Sequence, residues 1–492
     1  LDNLDAVGAA LTQQNYHRFN PGPYPRMIWP VNYHRYAAAT MFTLFFAGNT
    51  YAPAVTVAGE PVQDWLQERY FAALRHAARR LKNCKAIAGW GTMNEPHPGF
   101  IGCRDCGDLE NRATTAGPML LLRGASPSPF AAMAAASGHP VRVPVYTTDL
   151  LGVRKTGYRV LNPEGLSLFM DGFTCPWKQA GVWTDEGGEP RLLKGGHFAL
   201  YEGRPALFAE DFLKPFMKRL INRLREVREH SLFFIEGPPL GESPAWTAAD
   251  PPQAAHAFHW YDGITLYTKS FRSWFSLRLD TGKPLWGRKK VAAYFAEQLG
   301  RAVNRTQDKM ENMPCFLGEF GLPFDLNRRR AFKTRDYRLH EEALSMYYDA
   351  VDAHLLHSTI WNYTADNTHE WGDGWNNEDL SIYHRGEGRA AAGWMRPYPM
   401  ATAGIPGFLR WDRKKRFLLY RFMADPAITA PTELYLPPGY FGPKPEITVH
   451  TSHPGFEGLI RTEYHAGAQR LLIFHGGSGG EVEISVRPPA AF

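Results

Sequence analysis

Residues 61–96 read PVQDWLQERYFAALRHAARRLKNCKAIAGWGTMNEP, and the order of patterns in this stretch sets the fold class. Trp65, Tyr70, Leu74 and Ala78 recur about every four residues, the spacing of an amphipathic helix. The helix leads into Ala86-Ile87-Ala88-Gly89-Trp90-Gly91, a short apolar strand that runs out into Asn94-Glu95-Pro96. The same order recurs downstream: a helix over 211–230 before a strand over 232–235, a helix over 288–310 before 315–318, and a helix over 340–355 before 358–361. Residues 258–266 read as a further strand. Five strands, mostly separated by helices, predict a parallel α/β sheet, either barrel or doubly wound.

No glycine-rich phosphate loop follows any of these strands, which argues against nucleotide binding. Polar and acidic residues stand there instead: Asn94-Glu95 after one strand, Glu319 after another, Trp361 to Asp366 after the last. Barrels carry their chemistry at that rim. From Gly99 to about Pro205 the chain is rich in Gly, Pro and Ser, an insertion far longer than an ordinary βα loop, expected to form substrate walls or to be partly disordered. After about Ala424 the helical pattern gives way to short alternating segments at 446–449, 458–464, 470–474 and 481–486, which predict a small antiparallel β-domain. The expected division is therefore a catalytic domain over 1–424 and a β-domain over 425–492.

Composition narrows the function classes. The net charge of +6 over 492 residues comes from dispersed cations, with runs only at 328–330 and 413–416, so nucleic acid is not an expected partner. The longest apolar run, YAAATMFTLFFAG over 36–48, is too short to span a bilayer and reads as a buried or interfacial helix. Five cysteines cannot make a disulfide framework. Cys103 and Cys106 have half of a zinc-knuckle spacing with no second pair to complete it. No metal or organic cofactor is called for. No secretory leader is visible, and the expected compartment is cytoplasmic or vacuolar and lysosome-like.

Glycoside hydrolysis needs two carboxyl groups, one protonated to assist the leaving oxygen and one ionised to attack the anomeric carbon. Glu95, in Asn-Glu-Pro, and Glu319, in Gly-Glu-Phe-Gly, both follow apolar strands roughly 220 residues apart, as two barrel-strand ends would. Between them His259 and Tyr261 share one face of a strand and are expected to orient Glu319. Trp361 offers a flat face to a sugar ring, and Asn362 and Asp366 open a loop dense in hydrogen-bonding groups.

These motifs, in this order, resemble glycoside hydrolase family five. Residues 24–30 (YPRMIWP), 40–48 (TMFTLFFAG) and 361–383 (WNYTADNTHEWGDGWNNEDLSIY) are similar to its endoglycoceramidase-related branch. The resemblance implies a (β/α)8 TIM barrel and a retaining β-glycosidase acting on glucosylceramide or a steryl β-glucoside. Glu95 would be acid/base, Glu319 the nucleophile, Asn94 a contact to the sugar 2-hydroxyl, His259 and Tyr261 supports, and Trp361 the platform. A glycolipid substrate, with transient contact to a membrane surface, is the implied partner. In that family Asn-Glu-Pro lies on the fourth barrel strand. The first three strands, with the Arg and His they carry, are thus expected to be missing and the chain to be N-terminally incomplete. The rival expectations are a polysaccharide endo-hydrolase of the same family and a non-catalytic glycolipid-binding remnant.

Overall fold

The computed structural model describes residues 4, 6–10, 32–109, 124–149, 152–239, 241–374, 378–452, 457–477 and 479–490. Residues 24–30 and 375–377, which belong to the family-like stretches, lie outside the described residues. The chain divides into two compact units, one of residues 1–259, 305–316 and 370–378, the other of residues 260–304, 317–369 and 379–492.

In the first unit, α1 (Tyr36–Tyr51) is apolar on most sides and buries Ala39, Leu44, Phe46 and Tyr51 in the core, which makes it a core helix. Helix α2 (Val62–Arg80) follows; of the predicted stripe Ala78 is buried and Trp65, Tyr70 and Leu74 are half-buried, while Val62, Gln67 and Phe71 are the other buried positions. Within the long insertion, α3 (Pro129–Ala136) is capped by Ser128, whose side chain accepts from the Ala131 N–H. Strands β2 (Val141–Asp149) and β3 (Gly152–Leu161) then pair as an antiparallel hairpin. Trp177, Trp183 and Phe198 of the insertion are buried in the same core as α1, so this part of the insertion is packed structure. Cys103 and Cys106 are buried in that core and form no disulfide.

Helix α4 (Lys214–Arg225) buries Phe216, Met217, Leu220, Ile221 and Leu224, a clean helical stripe. The Phe216 ring meets Phe45 and Phe46 edge-on and stacks on Phe71 at 5.7 Å, locking α1, α2 and α4 together. Burial of each such ring is worth on the order of 2 kcal/mol. Against these helices lie β1 (Gly89–Gly91), β4 (Leu232–Glu236) and β5 (Ala254–His259), with β4 parallel to both neighbours. The expected strand over 258–266 is corrected here: β5 ends at His259.

The second unit begins with α5 (Gly263–Thr268), which replaces the end of that expected strand. It continues through a hairpin of β6 (Phe275–Leu277) and β7 (Pro284–Trp286), then α6 (Arg288–Lys309), β8 (Cys315–Gly321), α7 (Arg338–Ala353) and β9 (His357–Trp361). The strand order of the sheet is β9-β8-β5-β4-β1, five strands among the described residues. The protein is thus α/β with a parallel sheet.

Toward the C-terminus follow β10 (Tyr398–Ala401), β11 (Gly404–Asp412), β12 (Phe417–Ala424), β13 (Thr432–Tyr435), β14 (Glu446–Thr451), β15 (Arg461–His465), β16 (Arg470–Phe474) and β17 (Gly480–Arg487). They form two four-stranded antiparallel sheets, β10-β13-β16-β15 and β11-β12-β17-β14. Leu434, Leu471 and Ile473 of one sheet share a core with Leu418, Tyr420, Ile484 and Val486 of the other, the packing of a β-sandwich. Residue 424, expected as a domain boundary, is the last residue of β12, which pairs with β17; the antiparallel strands begin at Tyr398.

Candidate active site

The first carboxyl group is set by how closely β1 and β4 approach. A Cβ at Gly89 would lie 2.5 Å from the Leu232 carbonyl oxygen, and one at Gly91 would lie 2.6 Å from Oε1 of Glu236. Only glycine fits at Gly89, where the neighbour is backbone, and a side chain at Gly91 would displace the Glu236 carboxylate. Beyond it, the Thr92 N–H donates to the Phe234 carbonyl at 3.1 Å and the Tyr70 hydroxyl to the Thr92 carbonyl at 2.9 Å, tying the strand end to β4 and α2. Glu95 then adopts a left-handed backbone, φ +46°, a conformation uncommon for a non-glycine residue and concentrated at functional sites.

That turn leaves the Glu95 side chain 11% exposed, between Tyr33 and His259. The Tyr33 hydroxyl donates to its Oε2 at 3.2 Å, and His259 Nδ1 stands 2.9 Å from its Oε1. On its other side His259 Nε2 is 3.8 Å from Oε2 of Glu236. Tyr33 is itself held by stacking on His97, ring centroids 4.7 Å apart. Burial, and secondarily His34, pulls the His97 pKa well below its ordinary value. It therefore stays neutral, and its Nδ1 accepts the Gly99 N–H at 3.1 Å.

The second carboxyl group belongs to the other unit. In β8, Leu317 and Phe320 are buried while Glu319 between them is half-buried. The Tyr261 hydroxyl donates to Glu319 Oε1 at 2.7 Å, and the Trp260 N–H donates to the Glu319 carbonyl at 2.9 Å. Tyr261 is positioned by both of its neighbours. Trp260 Nε1 donates to Gln298 Oε1 at 3.0 Å and its ring packs edge-on against Tyr347. Asp262 is buried and accepts from the hydroxyls of Thr265 and Tyr347, with burial raising its pKa. Gly321 closes the motif: a Cβ there would lie 2.2 Å from the Trp361 carbonyl oxygen.

Trp361 ends β9 and is joined to Asn362 by a cis peptide bond. Asn362 is buried, its N–H donating to Leu380 at 3.3 Å and its carbonyl accepting from Ile382 at 2.9 Å. Farther along, Asn367 Nδ2 donates to Asp379 at 3.0 Å, and the buried Arg389 pairs with the same carboxylate at 2.6 Å. These bonds give the loop after Trp361 a built interior. Asp366 and Asn94 are exposed.

Of the residues expected at the site, the structure gives Glu319 the expected Tyr261 bond. His259, expected beside Glu319, carries a bond to Glu95. Two residues were not anticipated. Glu236 is the last residue of β4, a rim position of the same kind as Glu95 and Glu319, so the rim rule would have found it. Tyr33 lies outside any strand-end motif and reaches Glu95 only through folding. Chemically, the arrangement supplies one carboxyl group bonded by an imidazole and a phenol, suited to handling a proton, and one carboxyl group oriented by a phenol.

Residues 396–486 match the glycoside hydrolase family 5 C-terminal domain. The chain is similar to glycoside hydrolase family 5 and to its endoglycoceramidase-related branch. Among its relatives, a glucosylceramidase of Rhizopus delemar is 32% identical, covering 86% of this chain and 66% of the relative. An ergosteryl-β-glucosidase of Saccharomyces cerevisiae is 30% identical, covering 73% of this chain and 51% of the relative. A crystal structure of Cryptococcus neoformans sterylglucosidase 1 superposes with a TM-score of 0.87 at 26% identity, over 99% of this chain and 77% of that one. The chain thus spans from half to just under two thirds of the length of these curated relatives.

Proposed function

We propose that the chain carries the catalytic residues of a retaining β-glycosidase that hydrolyses the β-glucosidic bond of a glycolipid, a steryl β-glucoside or glucosylceramide. The observation that supports it most is the exit of β5: His259 bonds Glu95 and Tyr261, two residues on, bonds Glu319. Each carboxyl group is thus held by a hydrogen-bonding side chain of its own unit, and a two-carboxylate mechanism needs two such groups. In this reading Glu319 attacks the anomeric carbon while Glu95 gives its proton to the departing aglycone oxygen. Glu95 then takes a proton from water, which breaks the glycosyl-Glu319 bond with net retention. Trp361 would stack on the glucose ring and Asn94 would meet its 2-hydroxyl. The five-stranded sheet would be five of the eight strands of a family 5 barrel. The names of the relatives support the lipid aglycone.

The test is glucose release from ergosteryl β-glucoside and from glucosylceramide by the wild-type chain, by a version extended upstream, and by Glu319→Gln. Removal of the nucleophile is expected to lower turnover by about three orders of magnitude or more. Release that survives Glu319→Gln would overturn the assignment of the nucleophile. Release only from soluble glucan would replace the lipid with a polysaccharide.

A further inference from the structure

Two of the largest exposed apolar side chains in the second unit are neighbours. Trp274 is 50% exposed and Trp286 59% exposed, and their rings stack with centroids 5.7 Å apart. They flank the β6–β7 hairpin, where Phe275 pairs in register with Trp286 and the two rings lie 4.7 Å apart. Leu279, at the tip, is also exposed. Isolated exposed hydrophobics need no explanation, but a stacked pair of half-exposed indoles beside a third ring is a prepared surface.

The hairpin is held in place. The Gly287 N–H donates to the Trp274 carbonyl at 2.7 Å, and the Leu279 N–H to the Tyr294 hydroxyl at 2.9 Å. Arg278 bridges Asp280 and Glu297, and Arg301 bridges the same two carboxylates, which consumes the acidic charge of the tip. What is left over is cationic. Lys283, Lys289 and Lys290 are exposed and make no ion pair among the described residues, while the exposed Arg272 guanidinium lies 5.8 Å from the Trp274 ring centroid. Arg288 is offset by Glu342.

We infer that this hairpin docks the protein on the surface of an anionic lipid bilayer, with Trp274 and Trp286 entering the headgroup region and Arg272, Lys283, Lys289 and Lys290 facing the lipid phosphates. Indole rings are at home at that interface, being apolar bodies with one polar edge, and cations are drawn by its negative potential. Charge complementarity selects this occupant over others. A glucan would stack on the rings and leave the cations unused. A protein partner would need on the order of 1,000 Å² of complementary surface, far more than two rings and a leucine. The inference builds on the glycolipid reading, because the hairpin belongs to the connection that follows β5 and Tyr261, so docking there would bring a membrane-borne substrate to that rim.

The test is co-sedimentation of the full chain with vesicles of phosphatidylcholine alone and with about a third phosphatidylserine, at low and high salt. Binding is expected to favour the anionic vesicles and to fall with salt. Trp274→Ser combined with Trp286→Ser is expected to weaken it about tenfold or more, and Lys289→Gln with Lys290→Gln by about tenfold at low salt. Trp274→Phe with Trp286→Phe should keep most of the binding, and all variants should keep the wild-type melting temperature and turnover of a soluble aryl β-glucoside. Undiminished binding by the Ser variant, equal binding to neutral vesicles, or binding to soluble glucan with none to vesicles would overturn the docking surface. Vesicle binding by a chain that cleaves no glucoside would overturn the enzymatic reading and leave the docking surface standing.

Discussion

His259 Nδ1 stands 2.9 Å from Oε1 of Glu95, and the same imidazole turns Nε2 toward Glu236 at 3.8 Å. A histidine held between two carboxyl groups would fix the direction in which Glu95, in the proposed acid role, presents a proton. Its importance should therefore depend on how much help the leaving group needs. For Glu95→Ala, hydrolysis of a steryl glucoside, whose leaving alkoxide must be protonated, should fall by about two to four orders of magnitude. Formation of the glycosyl-enzyme from an activated nitrophenyl glucoside should fall far less. His259→Gln should show the same asymmetry on a smaller scale. Burst kinetics on the two substrates would measure it, and an equal loss on both would remove Glu95 from the acid role.

Tyr261 gives Glu319 its 2.7 Å hydrogen bond while Trp260 and Asp262 hold the backbone on either side. Tyr261→Phe should therefore leave the fold intact and lower kcat/KM by about tenfold to a hundredfold, the worth of one hydrogen bond to a charged acceptor. A melting curve beside the kinetics separates the two effects. Full activity in the phenylalanine variant would show that the phenol does not position the nucleophile.

Gly321 is a packing requirement of β8, the strand that carries Glu319. A methyl group placed 2.2 Å from the Trp361 carbonyl would have to push β8 and β9 apart, and the backbone cannot yield cheaply. Gly321→Ala should cost about 3 kcal/mol or more, read from urea unfolding. Gly458→Ala, where a Cβ meets nothing within 4 Å, is the control and should stay within about 0.5 kcal/mol of wild type.

Acid should weaken the first unit through His256. Burial, with Arg305 adding to it, lowers its pKa to about 4, and its two nitrogens are engaged by Ser243 at 2.9 Å and Thr306 at 2.6 Å. A folded-state pKa below the unfolded value means that the unfolded chain binds the extra proton. The stability this histidine contributes is thus complete above about pH 6.5 and is lost as the pH falls toward 4, amounting to about 3 kcal/mol across that window. Urea midpoints at neutral pH and near pH 4.5 should converge in His256→Gln relative to wild type. An unchanged pH slope in the variant would assign the acid sensitivity elsewhere.

The sites of these predictions differ in how far they were legible in the chain. Helix α2, strand β1 and the turn to Glu95 follow from residue spacing over a few turns, because a helical stripe and a strand end are local patterns. The stretch 258–266 misled for a local reason as well: Ile264 and Thr265 favour a strand, yet Asp262, buried and bonded by Thr265 and Tyr347, starts a helix there. Tyr347 lies 85 residues away. Strands β10 to β12 were hidden in a stretch broken by Pro399, Pro406 and several glycines. Pairing of β10 with β13, of β11 with β12 and of β12 with β17 secures them as strands.

By itself the sequence determined the recurring helix-strand order, both glutamates, the residues flanking them and the family resemblance, since each is written in contiguous residues. Only the tertiary structure decided which carboxyl group each support serves, that Tyr33 and Glu236 join the site, and that Trp274 and Trp286 face outward together. Hydrogen-bond partners are chosen by distances of about 3 Å in space, and no spacing along the chain encodes which of two glutamates a histidine will meet after folding.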